Sequence, residues 1–349
     1  MMLKTAGTFG LAAVIAAFAA QGEPPRRVEM REMAPMIQGM HGKIGGKFTQ
    51  YDVILEPDKN EPEWWAGAPS VVRDPDGTFW MACRMRTADA PRGLRGYEIR
   101  ILRSDDGVRF TPVHHIRRED VPIPGFERPA LLRDPHTGKY KLYGCGPWKE
   151  GPWTIIKWDD AERPDQFDPA TARPVIAPQE KDYERDIVPV GYKDPFILFA
   201  EGAWHCYVIG YIRQNERVFH FTSADGEAWS PVGSPYASMM DLSGWHDFFV
   251  RPSCVVPLGA GYLFVYEGSK TDWHDPVYNI ATGLAFTFDL HHVMDLTPDQ
   301  PLALSSTPGE HFATFRYSHW LDVDGELWVY AEVARPNETN EVRLFRLKK

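Results

Sequence analysis

Three carboxylates stand in short phrases that recur along this chain: Glu127 in FERP, Asp194 in YKDP and Glu267 in VYEG. Arginines occupy related places at Arg84, Arg128, Arg251 and Arg316. Cleavage of a glycosidic bond needs one protonated carboxyl group for the leaving oxygen and a second carboxylate to activate water or attack. The two stand about 6.5–9.5 Å apart for inversion and about 5–5.5 Å for retention. Guanidinium groups nearby hold one carboxylate ionised, while an apolar wall pushes the other towards its acid form. Guanidinium forks also grip carboxylate and sulfate oxygens in pairs, so the four arginines point to an anionic sugar.

Residues so far apart in sequence can act together only if a repeated architecture gathers them. Five copies of one pattern supply it: WAGAPSVVRDPDGTFWMACR from Trp65, FERPALLRDPHTGKYKLYGC from Phe126, YKDPFILFAEGAWHCYVI from Tyr192, FVRPSCVVPLGAGYLFVYEG from Phe249 and FRYSHWLDVDGELWVYAE from Phe315. Each reads as two apolar strands joined by a Gly-containing turn, a β-hairpin. Pro69, Pro129, Pro195 and Pro252 mark the copies, with Tyr317 in the Pro place of the fifth. A unit of roughly 60 residues holds four strands, and runs such as YEIRILRS, WTIIKW, RVFHFTS and VRLFRL supply the outer ones. The expected fold is all-β, a five-bladed β-propeller over residues 62–349, because radial closure protects strand edges; a β-sandwich is the alternative. Residues 21–61 form an arm or a strand that closes the ring. SDDGVRF from Ser104 and SADGEAWS from Ser223 resemble the Asp-box turns of sialidase-type propellers, where they are structural.

Aligning the copies places Ala68, Arg128, Asp194, Arg251 and Arg316 just before the Pro position. Arg84, Cys145, Ile209, Glu267 and Glu332 come together at the end of the second strand. So many charges at a buried axis must pair or face a hydrated channel. Trp65, Tyr317 and His319 join the arginines as candidate substrate contacts.

The chain has 349 residues and a net charge of −10, without a basic cluster, which argues against nucleic acid or an anionic membrane as partner. Lys4 followed by the apolar run Phe9–Phe18 and small residues reads as a signal peptide over 1–20, giving a secreted or periplasmic, monomeric protein. Cys83, Cys145, Cys206 and Cys254 are widely spaced, three of them in apolar strand-like runs, and are expected as buried free thiols. No ligand spacing suggests a metal, and no cofactor is expected.

The blade pattern resembles the five-bladed propeller glycosidases of glycoside hydrolase families 32, 43, 62, 117 and 130, over nearly the whole mature chain. YKDPFILF is similar to the family 43 blade that begins with a DP pair, and by that match Asp194 tunes the acid. In family 43 a fourth-blade Glu is the general acid, a role that falls to Glu267. FERPALLRDPHTGKYKLY resembles a phrase of galactan-cleaving members in which the Glu contacts substrate, here Glu127. The resemblance implies a general-base Asp where this chain has Ala68, so Glu127, Asp247 or Glu332 must serve instead. It also implies a catalytic Asp of family 130 where Arg128 stands. The expected activity is a secreted glycoside hydrolase; a non-catalytic carbohydrate-binding propeller or a family 130-like phosphorylase is the alternative.

Overall fold

The structure, a computed structural model, describes residues 27–40, 46–179, 189–212 and 215–347. The signal-peptide segment and its cleavage point lie outside the described residues. Helix α1 (Met30–Met40) buries Met30, Ala34 and Ile37, one face at helical spacing, and is followed by strand β1 (Asp52–Leu55). No helix among the described residues is long and apolar enough to cross a membrane.

After β1 the described residues form strands, turns and a few short 3-10 helices. The first antiparallel group is β2 (Trp65–Arg73), β3 (Phe79–Arg86), β4 (Gly96–Ser104) and β5 (Thr111–Arg117). The second is β6 (Ala130–Arg133), β7 (Tyr140–Pro147), β8 (Trp153–Lys157) and β9 (Arg173–Ile176), and the third β10 (Tyr192–Ala200), β11 (Ala203–Ile212), β12 (Asn215–Ser223) and β13 (Ser230–Pro231). The fourth comprises β14 (Phe249–Pro257), β15 (Tyr262–Ser269), β16 (Ala281–Thr287) and β17 (Met294–Asp295). Finally β18 (Phe315–Val323), β19 (Glu326–Ala334) and β20 (Asn340–Leu347) pair in order, and β1 adds antiparallel to β20. A single parallel pair, Trp65 with Asn340, joins this last group to the first, so the hydrogen bonds make one eight-stranded sheet and three four-stranded ones. The leading strands touch in a closed cycle, β2 to β6, β6 to β10, β10 to β14, β14 to β18 and β18 back to β2.

The apolar faces of successive sheets pack on each other and form the core, in which all four cysteines lie buried and unpaired. The Asp-box turns fasten neighbouring sheets. In the first, the Asp106 carboxylate accepts from the backbone N–H groups of Val108 and Arg109 at 2.9 and 2.8 Å, and the Gly107 carbonyl accepts from Tyr330 Oη of the preceding group at 2.7 Å. The second repeats the plan: Asp225 caps Glu227 and Ala228, and Tyr143 Oη donates to the Gly226 carbonyl at 2.7 Å. A third turn of the same design escaped the sequence reading. Asp289 caps His291 and His292, Tyr207 Oη donates to the Leu290 carbonyl at 2.6 Å, and Leu290 takes a φ of 65° where the others have glycine. A leucine in that left-handed conformation is uncommon enough to hide the motif.

Candidate active site

The charged residues meet where the leading strands begin, and a break in the strand ladder aims them. Pairing skips residues between Gly67 and Ser70, Lys193 and Phe196, Pro252 and Cys254, and Arg316 and His319. Bulges of this kind bend a strand and redirect its side chains. In three of them a non-glycine residue holds a left-handed φ: Ala68 at 51°, Asp194 at 56° and Tyr317 at 52°. Each costs on the order of 1–3 kcal/mol and persists because its surroundings enforce it.

This register corrects the sequence alignment in the last two copies. Gly67 pairs with Arg84, Lys193 with Ile209, Arg251 with Glu267 and Arg316 with Glu332. Arg251 and Arg316 are therefore equivalent to Gly67 and Lys193, not to Ala68 and Asp194. Tyr317 takes the place of Asp194 rather than that of proline. The fourth copy has a one-residue bulge and the fifth has lost its proline, so counting from Pro misplaces both.

Asp194 and Glu267 converge on Tyr317. The Tyr317 hydroxyl donates to Asp194 Oδ2 at 3.0 Å, and its backbone N–H donates to Glu267 Oε1. Asp194 Oδ1 also accepts from the Arg128 N–H at 3.1 Å, and its own N–H points to Cys145 Sγ at 3.2 Å. Glu267 Oε1 further accepts from Ser253 Oγ at 3.0 Å, while Oε2 is buried without a partner. Burial drives this carboxyl group up to about 7, against Arg128, Arg251 and the two donors. A carboxylate oxygen without a donor forgoes stabilisation of its charge, which favours the neutral form.

Glu127 has the opposite setting. It pairs with Arg84, which also reaches Glu332 at 2.9 Å, and despite burial Arg84, Lys193, Arg86 and Arg316 hold its carboxyl below the ordinary range. Glu332 is locked, accepting from Arg316 at 2.7 Å, Asn340 at 2.7 Å and the Ala68 N–H at 3.1 Å. Gly67 makes room for it, since a Cβ there would sit 1.8 Å from Glu332 Oε2. Asp247 stands apart, accepting from the backbone and hydroxyl of Thr271. Arg128 has no carboxylate on its guanidinium, which instead donates to the Pro252 and Ser253 carbonyls at 3.2 and 2.5 Å.

The hub is packed rather than an open channel. Arg84, Asp194, Glu267 and Glu332 are fully buried, Arg128 and Arg316 nearly so, and Glu127 at 8% and Lys193 at 7%, though buried, are the least enclosed of these charged groups. Trp65 offers no face to a sugar: it is buried, with Arg86 at 3.9 Å and Arg316 at 4.9 Å over its ring. His319 lies past the bulge on β18, beside the Phe196 ring. Glu216, on β12, was missed by the sequence reading. It bonds Lys193 at 2.7 Å and also Arg251, and although burial opposes ionisation these two cations bring it down to about 2. Its only sequence signal is its place at the start of the third strand of its group. Among the described residues no three His, Cys, Asp or Glu side chains are grouped to hold a metal.

Two histidines, the buried His220 and the half-buried His319, set an acid limit on stability. Burial lowers His220 to about 3, and burial with Arg128 lowers His319 likewise; His205 and His291, in contact with or adjacent to His220 through the chain of ring nitrogens, are also lowered. The unfolded chain therefore binds more protons below about pH 6.5, and stability falls with acid by up to about 1.4 kcal/mol per pH unit for each group. Glu267 works the other way, because its folded value lies above its unfolded one, so its protonation favours the folded state as pH drops from about 7 to 4.5. The histidines outnumber it. Urea midpoints from pH 7 to 4.5 are expected to decrease, and to decrease more steeply in Glu267→Gln; a flat profile contradicts this.

No family model matches the chain, and no curated protein sequence does. Solved structures do. A glycoside hydrolase superposes with a TM-score of 0.66 at 14% identity, over 90% of this chain and 95% of its own. The β-1,2-mannobiose phosphorylase of Listeria innocua, in complex with β-1,2-mannobiose, gives 0.60 at 13% identity over 84% and 94%. A structure from the family 130 mannoside phosphorylases, described as containing glycoside hydrolases that target β-1,2 mannosidic linkages in Candida mannan, gives 0.61 at 14% over 84% and 93%. In fold, this chain is similar to the glycoside hydrolases and mannoside phosphorylases of that structural group.

Proposed function

We propose that this protein is an exported glycoside hydrolase, built as a five-bladed β-propeller, that cleaves an oligosaccharide or polysaccharide at the hub. The closed cycle of leading strands supports five blades, with β1 completing the last one. The observation that carries the chemistry is the split between two carboxyl groups. Glu127, ionised and the least buried of the hub carboxylates, suits the base or nucleophile; Glu267, held towards its neutral form, suits the acid. Asp194 positions the acid through Tyr317. Of the carboxylates that could replace the missing blade-one Asp, Glu332 is locked and Asp247 is bonded elsewhere, which leaves Glu127. Because Glu267 has no exposed surface, the floor formed by Ser253 and Tyr317 must shift when sugar binds.

That same burial favours a second reading, a sugar-binding propeller without turnover. The two separate in one assay: the unmutated protein is incubated with a panel of polysaccharides and oligosaccharides, with and without inorganic phosphate. Release of reducing ends without phosphate supports hydrolysis. Release only with phosphate replaces it by phosphorolysis, and binding with no release replaces it by the binding reading.

A further inference from the structure

Buried charges in the hub do not cancel. Arg84, Arg86, Arg128, Lys193, Arg251 and Arg316 face Glu127, Asp194, Glu216, Glu332 and Glu267. Cations exceed carboxylates by one if Glu267 is ionised and by two if it is not. An uncompensated buried cation is costly, so the site is built to receive an anion. Where that anion sits follows from exposure and sharing. Arg84 and Arg316 direct their terminal guanidinium donors at Glu127 and Glu332 in the interior, and Arg128 directs its own at two carbonyls, leaving the Nε–H of Arg84 and of Arg128 without a partner. Lys193 and Arg251, by contrast, share the single carboxylate of Glu216, and Lys193 is the least buried of the cations. Lys193 Nζ lies 5.0 Å from the Tyr211 ring centre and 5.8 Å from that of Trp153, both part-exposed, so the cation is framed by aromatic faces that suit a sugar ring.

We propose that Lys193 and Arg251, yoked by Glu216, seat one oxyanion of the bound saccharide, the carboxylate of a uronic acid or a sulfate ester. The carbohydrate part of this proposal rests on the hydrolase reading; the anion seat does not. Lys193 is the least buried of these cations, and Glu216 is the internal anion that a ligand must outcompete or complement.

The test uses the whole protein and three forms of it: unmutated, Lys193→Met and Glu216→Gln. Binding of inorganic sulfate is measured by calorimetry at constant ionic strength, together with glucuronate and glucose 6-sulfate, each against glucose. Loss of one charge-assisted contact should weaken anion binding roughly tenfold in Lys193→Met. Glu216→Gln frees both cations and should tighten binding by a similar factor, a gain that misfolding cannot mimic. The glucuronate and glucose 6-sulfate arms tell which oxyanion the seat prefers. Equal anion affinity in the unmutated protein and Lys193→Met overturns the proposal, as does weaker binding in Glu216→Gln. If polysaccharides are cleaved with no preference for acidic sugars, the anion seat fails and the hydrolase reading survives. If sulfate binds as expected but no saccharide is bound or cleaved, the hydrolase reading fails and the seat stands.

Discussion

Glu267→Gln is expected to lower turnover by about 10²–10⁴-fold, the usual contribution of a positioned general acid, while sugar affinity stays within a few fold. Gln keeps the acceptor oxygen that Tyr317 N–H and Ser253 Oγ use, and its amide group replaces an oxygen that has no partner. The substitution therefore removes the transferable proton with little else. In the unmutated protein, any glycosidase activity should also fall as pH rises through about 7, where Glu267 loses that proton, and the residual activity of Glu267→Gln should lack this limb. Steady-state rates from pH 5 to 9 with equilibrium binding on the same ligand decide it. Unchanged turnover assigns the acid elsewhere.

Arg84→Met should be the most damaging stability change in the hub, costing about 3–5 kcal/mol, because it strands buried carboxylates. Arg84 is fully buried and bridges Glu127, just ahead of β6, to Glu332 on β19. Its removal leaves Glu332 with Arg316 and Asn340 but takes the only close cation from Glu127 among its direct bonds. Adding Glu127→Gln to Arg84→Met should recover part of the loss, since the carboxylate that lacked a partner is then neutral. Urea unfolding of the single and double variants measures the coupling. A loss below about 1 kcal/mol shows the bridge to be incidental.

Much of this is legible in the order of residues alone. Repetition of apolar pairs of strands around glycine turns is a local property, because strand period and turn chemistry depend on nearest neighbours. It therefore announced the hairpins, their four-strand units and two of the Asp-box turns. The third was hidden by Leu290, which adopts glycine's backbone conformation because the carbonyl it presents to Tyr207 and the surrounding burial hold it there.

Sequence by itself determined the all-β character, the repeat, the gathering of acids and arginines at one end of the leading strands, and the free buried cysteines. Tertiary structure alone decided the register at the bulges, which moved Arg251, Arg316 and Tyr317 by one place, and the partnership of each charge. It also brought in Glu216 from an outer strand and buried Trp65 beneath two arginines. The reason is physical: hairpins are set by contacts a few residues apart, whereas ionisation and ion pairing depend on burial and on groups that arrive from other sheets.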